Sequence, residues 1–331
     1  MKKIAALCKR LDSPSFVHRL GRLLGPLLES QGASFEAFAV PKNIVGQWSL
    51  FRSLAEYDLV IISRKLFHCP QLSYIRRVTR RLVFDFDDAI MYAKQPCTRL
   101  LPSRRARLFH RTVRQVDHVF CGNEYLRRHT AKPPEAITII ETPVDLKRYR
   151  LRPDLASENV VIGWIGSDST SKYLEAKLPL LDQILRRYEN VSLKVVSNKA
   201  VSCPGMEINN RTWSECQELA DLQSFDIGLM PVPDDKWTRG KCGFKILQYF
   251  AVGIPAVASP VGINSQIVED RVSGFLPSSD QQWVECLDRL IQNRALRRSM
   301  GLSGRRRVEQ RYSTDLLTPK YLEVFWRLLE K

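Results

Sequence analysis

The sequence predicts an α/β protein made of two doubly wound parallel-sheet domains. Three observations predict it. Apolar, β-rich runs alternate with helix-length amphipathic segments. The alternation comes in two series, separated by a polar stretch at 147–159 (KRYRLRPDLASEN). A length of 331 residues suits two domains of ordinary size.

In the first series KKIAAL, FEAFAV, DLVIIS, RLVFDF, HVFCGN and ITIIET read as strands. FVHRLGRLLGPLLESQG and ARLFHRTVRQVD are helical patterns between them. In the second, NVVIGWIGS, VSLKVVS, FDIGLMPV, IPAVAS and SGFLPS read as strands, with helices expected over 174–188, 214–223 and 280–300. Strand–helix alternation of this kind makes parallel sheets covered on both faces. The domains are expected at 1–152 and 153–312, followed by an amphipathic helix within 313–331 that Pro319 interrupts near its start.

Composition narrows the class. The chain is 44% hydrophobic and 26% charged, and no 18-residue apolar window suggests a membrane span. IAAL near the N-terminus is too short for a signal peptide and reads as a first strand. Eight cysteines without a C-x-x-C pair or zinc-like spacing point to reduced thiols and a cytoplasmic protein. The net charge of +16 is unevenly placed. Residues 1–150 hold 27 Lys/Arg against 13 Asp/Glu, a balance of +14, concentrated in IRRVTRR (75–81) and SRRARLFHRTVR (103–114). Such patches attract nucleic acid, anionic lipid headgroups or acidic substrates; solvated helix faces are the competing reading.

Two loops of the second half could hold an anion. GWIGSDSTSK (163–172) leaves a buried strand through Gly166 and Ser167 and reaches Lys172. Small residues let backbone approach a phosphate, and hydroxyls and an ammonium can donate to it. A plain β-α turn fits the same residues. LMPVPDDKWTRGKCGFK then crowds Arg239, Lys241 and Lys245 where a helix should begin. Cations there oppose the helix dipole by about 0.3–1 kcal/mol each. A diphosphate at that helix end would reverse the sign; solvated surface cations are the alternative. In VFDFDDAI (83–90), Asp85, Asp87 and Asp88 end an apolar strand and should face the carboxyl edge. Asp87 or Asp88 could orient a hydroxyl as a base, and Asp88 could equally cap a helix. Asn123 and Glu124 follow HVFCG toward the same edge, with acceptor binding or helix capping by Asn123 as the two readings. Trp213 reads as a packing residue.

FDIGLMPVPDD and GFKILQYFAVGIPAVASPVGINSQIVEDRVSGFL resemble the donor-binding half of the family 4 glycosyltransferases, which have the GT-B fold. IIETPVDLKRY (139–149) and DHVFCGNEYL (117–126) extend the likeness upstream. The resemblance implies two Rossmann-like domains facing a cleft, with the C-terminal helix crossing back to the first. It implies a retaining, metal-independent enzyme without a cofactor, moving a sugar from a nucleotide-diphosphate sugar to a hydroxyl acceptor. The diphosphate would sit at Gly166, Ser167, Lys172, Arg239, Lys241 and Lys245. Gln248 and Arg211 would take the ribose and nucleoside, and Gly240, Cys242, Gly243 and Phe244 would meet the sugar through backbone. The chain departs from the family at its usual glutamate pair, replaced here by Gly240 and Gln248, which marks a divergent subgroup. The acceptor implied is a glycan or lipid-linked polysaccharide precursor, with the basic domain against an anionic inner membrane face and no nucleic acid partner. A sugar-nucleotide epimerase or a phosphorylase of the same fold, and a non-enzymatic binder of anionic ligands, are the alternatives. Asp85-Phe86-Asp87 also has the look of the D-x-D metal motif of GT-A enzymes.

Overall fold

A computed structural model describes residues 1–92, 103–153 and 157–330. The chain divides into two compact units. One comprises Met1–Pro143, Arg239–Cys242 and the chain from Thr314 on; the other comprises Val144–Thr238 and Gly243–Ser313.

The first unit is built on strands β1 (Lys2–Cys8), β2 (Ala33–Ala39), β3 (Leu59–Ser63), β4 (Arg81–Phe86), β5 (His118–Cys121) and β6 (Ile137–Ile139). They form one parallel sheet in the order β2-β1-β3-β4-β5-β6. Every residue of β3 and β5 is buried, which is why these strands read as unbroken apolar runs. One face of the sheet packs on Phe51, Leu72, Ile75, Phe109 and Val113 from the helices Ile44–Ser53, Cys69–Val78 and Arg104–Gln115. The other face takes Phe16, Leu20, Leu24 and Leu28, together with Leu317, Tyr321, Val324 and Phe325 of the final helix, Thr314–Glu330.

The second unit carries β7 (Val160–Ile165), β8 (Val191–Val196), β9 (Ile208–Arg211), β10 (Ile227–Met230), β11 (Ala256–Ala258) and β12 (Gly274–Phe275), ordered β12-β11-β10-β7-β8-β9 and parallel throughout. Chain order reverses between β7 and β10 here, and between β1 and β3 in the first sheet. In open α/β sheets ligands bind at the carboxyl ends of the strands beside such a switch point.

Several expected boundaries move. The change of unit at Pro143–Val144 lies upstream of the polar stretch expected to divide the domains, so 144–152 joins the second unit. Val144 donates its amide to Tyr312 O at 2.8 Å, Tyr149 is buried in the second core, and Arg152 donates to Asp226 at 2.9 Å. The single helix expected over 280–300 is two, Asp280–Gln292 and Arg294–Arg311, because Asn293 caps the second by accepting from Leu296 N at 2.8 Å. Pro319 does not interrupt the final helix, which runs through it. The helix expected from Phe16 onward is split by a π segment at Val17–Gly21, and Arg19 of that segment is buried. Among the described residues no helix is long and apolar enough to cross a membrane.

Candidate active site

At the switch point of the second sheet, β7 is followed by Gly166-Ser167, and Ser167 is the N-cap of the helix Asp168–Glu175. Ser167 Oγ makes no cap bond to the backbone; it lies 3.1 Å from Ser169 Oγ and 3.4 Å from Thr170 Oγ1. Lys245 reaches this turn from the first turn of the helix Phe244–Ala251. Its Nζ donates to Thr170 Oγ1 at 3.2 Å and lies so close to Gly166 that a Cβ there would come within 2.6 Å of it. The ammonium also sits 4.4 Å from the centroid of the Trp164 ring. A cation over an indole gains about 0.5–2 kcal/mol, enough to offset the roughly 0.3–1 kcal/mol lost by placing it at its own helix's positive end. Gly166, Ser167 and Lys245 are therefore brought together. Lys172 is not part of this cluster: it is exposed in the last turn of its helix, with Nζ 5.2 Å from the Tyr173 ring. It stands more than a turn from the helix start, and Lys245 is the cation found there.

The cations expected at one helix end are divided between the units. Arg239, Gly240, Lys241 and Cys242 belong to the first; Gly243, Phe244 and Lys245 belong to the second. Gly243, at φ +64°, supplies the left-handed N-cap of Phe244–Ala251 that a residue with a side chain would resist. In the first unit Arg239 is exposed and Lys241 half-buried, while Gly240 and Cys242 are buried. Gly240 packs so tightly that a Cβ would lie 2.5 Å from Ala89 Cβ and 2.9 Å from Ala89 N. A larger side chain has no room at this position. Cys242 Sγ donates to Asp87 O at 2.9 Å, and burial, followed by the nearby Asp87 charge, pushes its thiol well above the usual range.

Asn123 and Glu124, expected on the acceptor side, are both engaged. Asn123 caps the helix Glu124–Arg128 through Leu126 N at 2.9 Å and donates to the carbonyls of Gly240 and Lys241. Glu124 accepts from Arg127 at 2.6 Å and Arg128 at 3.0 Å, and the Arg127 bond leads in holding its carboxyl down at about 2.

The three aspartates after β4 separate sharply. Asp85 does not face the carboxyl edge. It is fully buried, accepts a two-pronged bond from Arg19 (2.6 Å from Nη2, 3.2 Å from Nε) and a bond from Tyr321 at 3.3 Å. With Asp85 spent in this ion pair, the D-x-D pattern cannot act as a paired metal ligand. Asp87 and Asp88 do come together, and on a residue the sequence reading missed. Arg64 follows β3 at the first sheet's switch point, with a left-handed φ of 56°. Its guanidinium lies 3.1 Å from Asp87 Oδ1 and 2.6 Å from Asp88 Oδ2, and also donates to Ser15 Oγ. Asp87 Oδ1 is buried and receives no hydrogen bond of proper geometry, so its contact with Arg64 is Coulombic. Burial disfavours the Arg64 charge, but Asp87 and Asp88 outweigh it and raise its pKa. The signal was present in the sequence: a cation immediately after a wholly buried strand. Strain in a non-glycine residue of this kind persists where surrounding contacts fix it.

Gln248, expected on the ribose, is buried and donates to Tyr149 OH at 3.1 Å. Tyr149 in turn donates to Glu218 at 2.6 Å, and Trp213 Nε1 donates to the same carboxylate at 2.8 Å. Trp213 is thus a packing residue. Arg211 ends β9, exposed, and lies on the strand itself.

Residues 159–293 match the family model described as glycosyl transferases group 1. No curated protein matches. Among solved structures, sucrose-phosphate synthase from Thermosynechococcus elongatus is similar at a TM-score of 0.74 and 14% identity, covering 100% of both chains. HepE of Anabaena, solved with UDP and glucose, aligns at 0.71 and 15% identity over 99% of this chain and 100% of its own. A glycosyltransferase from Rickettsia africae aligns at 0.68 and 13% identity, over 100% and 99%. The chain thus has the GT-B fold, and its residues 159–293 are similar to the group 1 glycosyl transferases.

Proposed function

We propose that this chain is an enzyme that transfers a sugar from a nucleotide-diphosphate sugar to a hydroxyl acceptor, with retention and without a metal ion. The observation that carries this reading is the Lys245 ammonium held against Gly166 and Thr170 at the start of the helix Asp168–Glu175. There a fixed cation, helix N–H groups and the Ser167, Ser169 and Thr170 hydroxyls meet at the switch point of the sheet. Such an arrangement stabilises a departing diphosphate, and fixed charges need no reorganisation as the leaving group forms. Arg239 and Lys241 are proposed as further diphosphate contacts, and Asp87 or Asp88 as the group that orients the acceptor hydroxyl. HepE, of the same fold, was solved with UDP and glucose, which supports a nucleotide-sugar donor here.

The acceptor is proposed to be anionic, a glycan or lipid-linked precursor at the inner face of the membrane. Arg104, Arg105, Arg107, Arg111 and Arg114 are all exposed on one 12-residue helix, and Ile44 and Val45 are exposed on another of the same unit. Cosedimentation with anionic but not zwitterionic vesicles tests this surface.

The donor assignment is tested by thermal-shift titration with uridine, guanosine and adenosine diphosphates and their sugars, then by transfer assays with and without chelator. One nucleotide should raise the melting temperature, and Lys245→Ala and Arg239→Ala should each weaken it. Unchanged nucleotide binding and sugar transfer in both variants would show the diphosphate assignment to be wrong.

A further inference from the structure

We propose that Asn123 is a positioning residue that sets the direction of the peptide groups in the loop Arg239–Cys242. The proposal rests on the reading above that this loop serves the donor. Asn123 is 4% exposed, and its amide is fully engaged. Oδ1 accepts from Leu126 N at 2.9 Å, closing the start of the helix Glu124–Arg128. Nδ2 donates to Gly240 O at 3.2 Å and Lys241 O at 3.0 Å, and lies 3.5 Å from Cys242 Sγ. A side chain so committed has no donor to spare for an acceptor substrate.

The two carbonyls it gathers are consecutive. In a trans peptide the N–H points opposite the carbonyl, so turning Gly240 O and Lys241 O toward Asn123 turns the amides of Lys241 and Cys242 the other way. Successive amides facing one side make a concave donor surface for oxyanions or hydroxyls. The fit around the loop leaves little freedom. A Cβ at Gly122 would fall 2.2 Å from Cys242 Sγ and 3.2 Å from Asp87 Cα, and Gly240 lies hard against Ala89. The residue type follows from the two tasks. The helix cap needs an acceptor and the loop needs two N–H donors, and among short side chains asparagine alone carries both.

Asn123→Asp and Asn123→Ser separate the tasks, since each keeps a capping oxygen and removes the amide donors. Asn123→Ser should melt within a few degrees of wild type, and Asn123→Asp, whose carboxylate would face two carbonyl oxygens, should melt lower. Backbone hydrogen exchange in 239–245 should accelerate about thirtyfold, and the KM for the nucleotide-sugar should rise by up to a similar factor, as expected for two lost hydrogen bonds near 1 kcal/mol each, about 2 kcal/mol together. Exchange rates and KM equal to wild type in both variants would overturn the proposal. So would exchange that accelerates equally across the whole first unit rather than in 239–245, because the bonds would then hold the fold rather than the loop. If the wild-type protein transfers no sugar, the enzyme reading fails, while the exchange measurement still decides what Asn123 does.

Discussion

Replacing Asp85 by asparagine tests whether this carboxylate holds the fold or serves the chemistry. Arg19 and Asp85 are both fully buried, and the guanidinium also donates to Ile140 O at 2.6 Å, so the pair ties the N-terminal π segment to β4 and to the chain after β6. Tyr321 adds the final helix to the same carboxylate. Asparagine keeps the shape but leaves a buried guanidinium without its counter-charge. Breaking a buried pair from one side costs about 3–5 kcal/mol. With about 2–4 °C per kcal/mol for a unit of this size, the melting transition of the first unit should fall by roughly 6–20 °C. Urea denaturation followed by tryptophan fluorescence and circular dichroism measures the loss. The companion Arg19→Met/Asp85→Leu variant should recover most of it, since replacing both partners by apolar groups removes the uncompensated charge. A stability within 1 kcal/mol of wild type for Asp85→Asn, together with lost activity, would refute this reasoning and restore a chemical role to the aspartate pair.

Further outcomes are expected. Gly240→Ala should destabilise the first unit by about 1–3 kcal/mol, as overpacking does, and Gly240→Glu should not improve transfer; a stable, more active glutamate variant would contradict the packing at Ala89. Arg64→Lys keeps the charge but loses the fork that spans Asp87 and Asp88, and should lower kcat about tenfold or more with little change in donor KM. Tyr149→Phe removes the hydroxyl linking Gln248 to Glu218 and should cost about 1–2 kcal/mol in chemical denaturation. Burial, then the charges of Arg327 and Lys132, push His118 from 6.5 down to about 4. The unfolded chain therefore takes up that proton first. Stability is full above pH 6.5 and falls by up to about 3 kcal/mol as pH drops toward 4. His118→Gln should flatten this slope in pH-dependent unfolding.

Strand runs were legible because both sheets are parallel and covered on both faces, so β3, β7 and β10 appear as almost uninterrupted apolar segments. Helix ends were harder: Asn293 stops one helix and starts another within a single amphipathic pattern. At the site, Gly166, Ser167 and Lys245 could be picked out by residue type, since glycine, hydroxyl and ammonium are the groups that hold a phosphate. Lys172 has the same chemistry, but it lies in the last turn of Asp168–Glu175, whereas Lys245 reaches that helix's start from the first turn of Phe244–Ala251. Arg64 went unnoticed because its partners stand 23 and 24 positions further on, across β4, and one residue's left-handed backbone is invisible in composition. Asp85 misled because a buried ion pair and an exposed acidic motif share the same letters; the partner that distinguishes them, Arg19, sits 66 residues away.

The packing of Tyr321 and Phe325 into the first sheet's core bears on how the protein is made. Phe120 of β5 meets Tyr321 and Phe325 at ring separations of 4.7 and 5.8 Å. Roughly 170 residues separate Pro143 from Thr314, so at 5–20 residues per second a ribosome needs about 10–35 s between completing the sheet and delivering its cover. Throughout that interval the part of one sheet face that Leu317, Tyr321, Val324 and Phe325 cover stays exposed in the nascent first unit. Holding chaperones would find their substrate in that window, and a late stop codon would leave the first half, rather than the second, exposed to proteolysis.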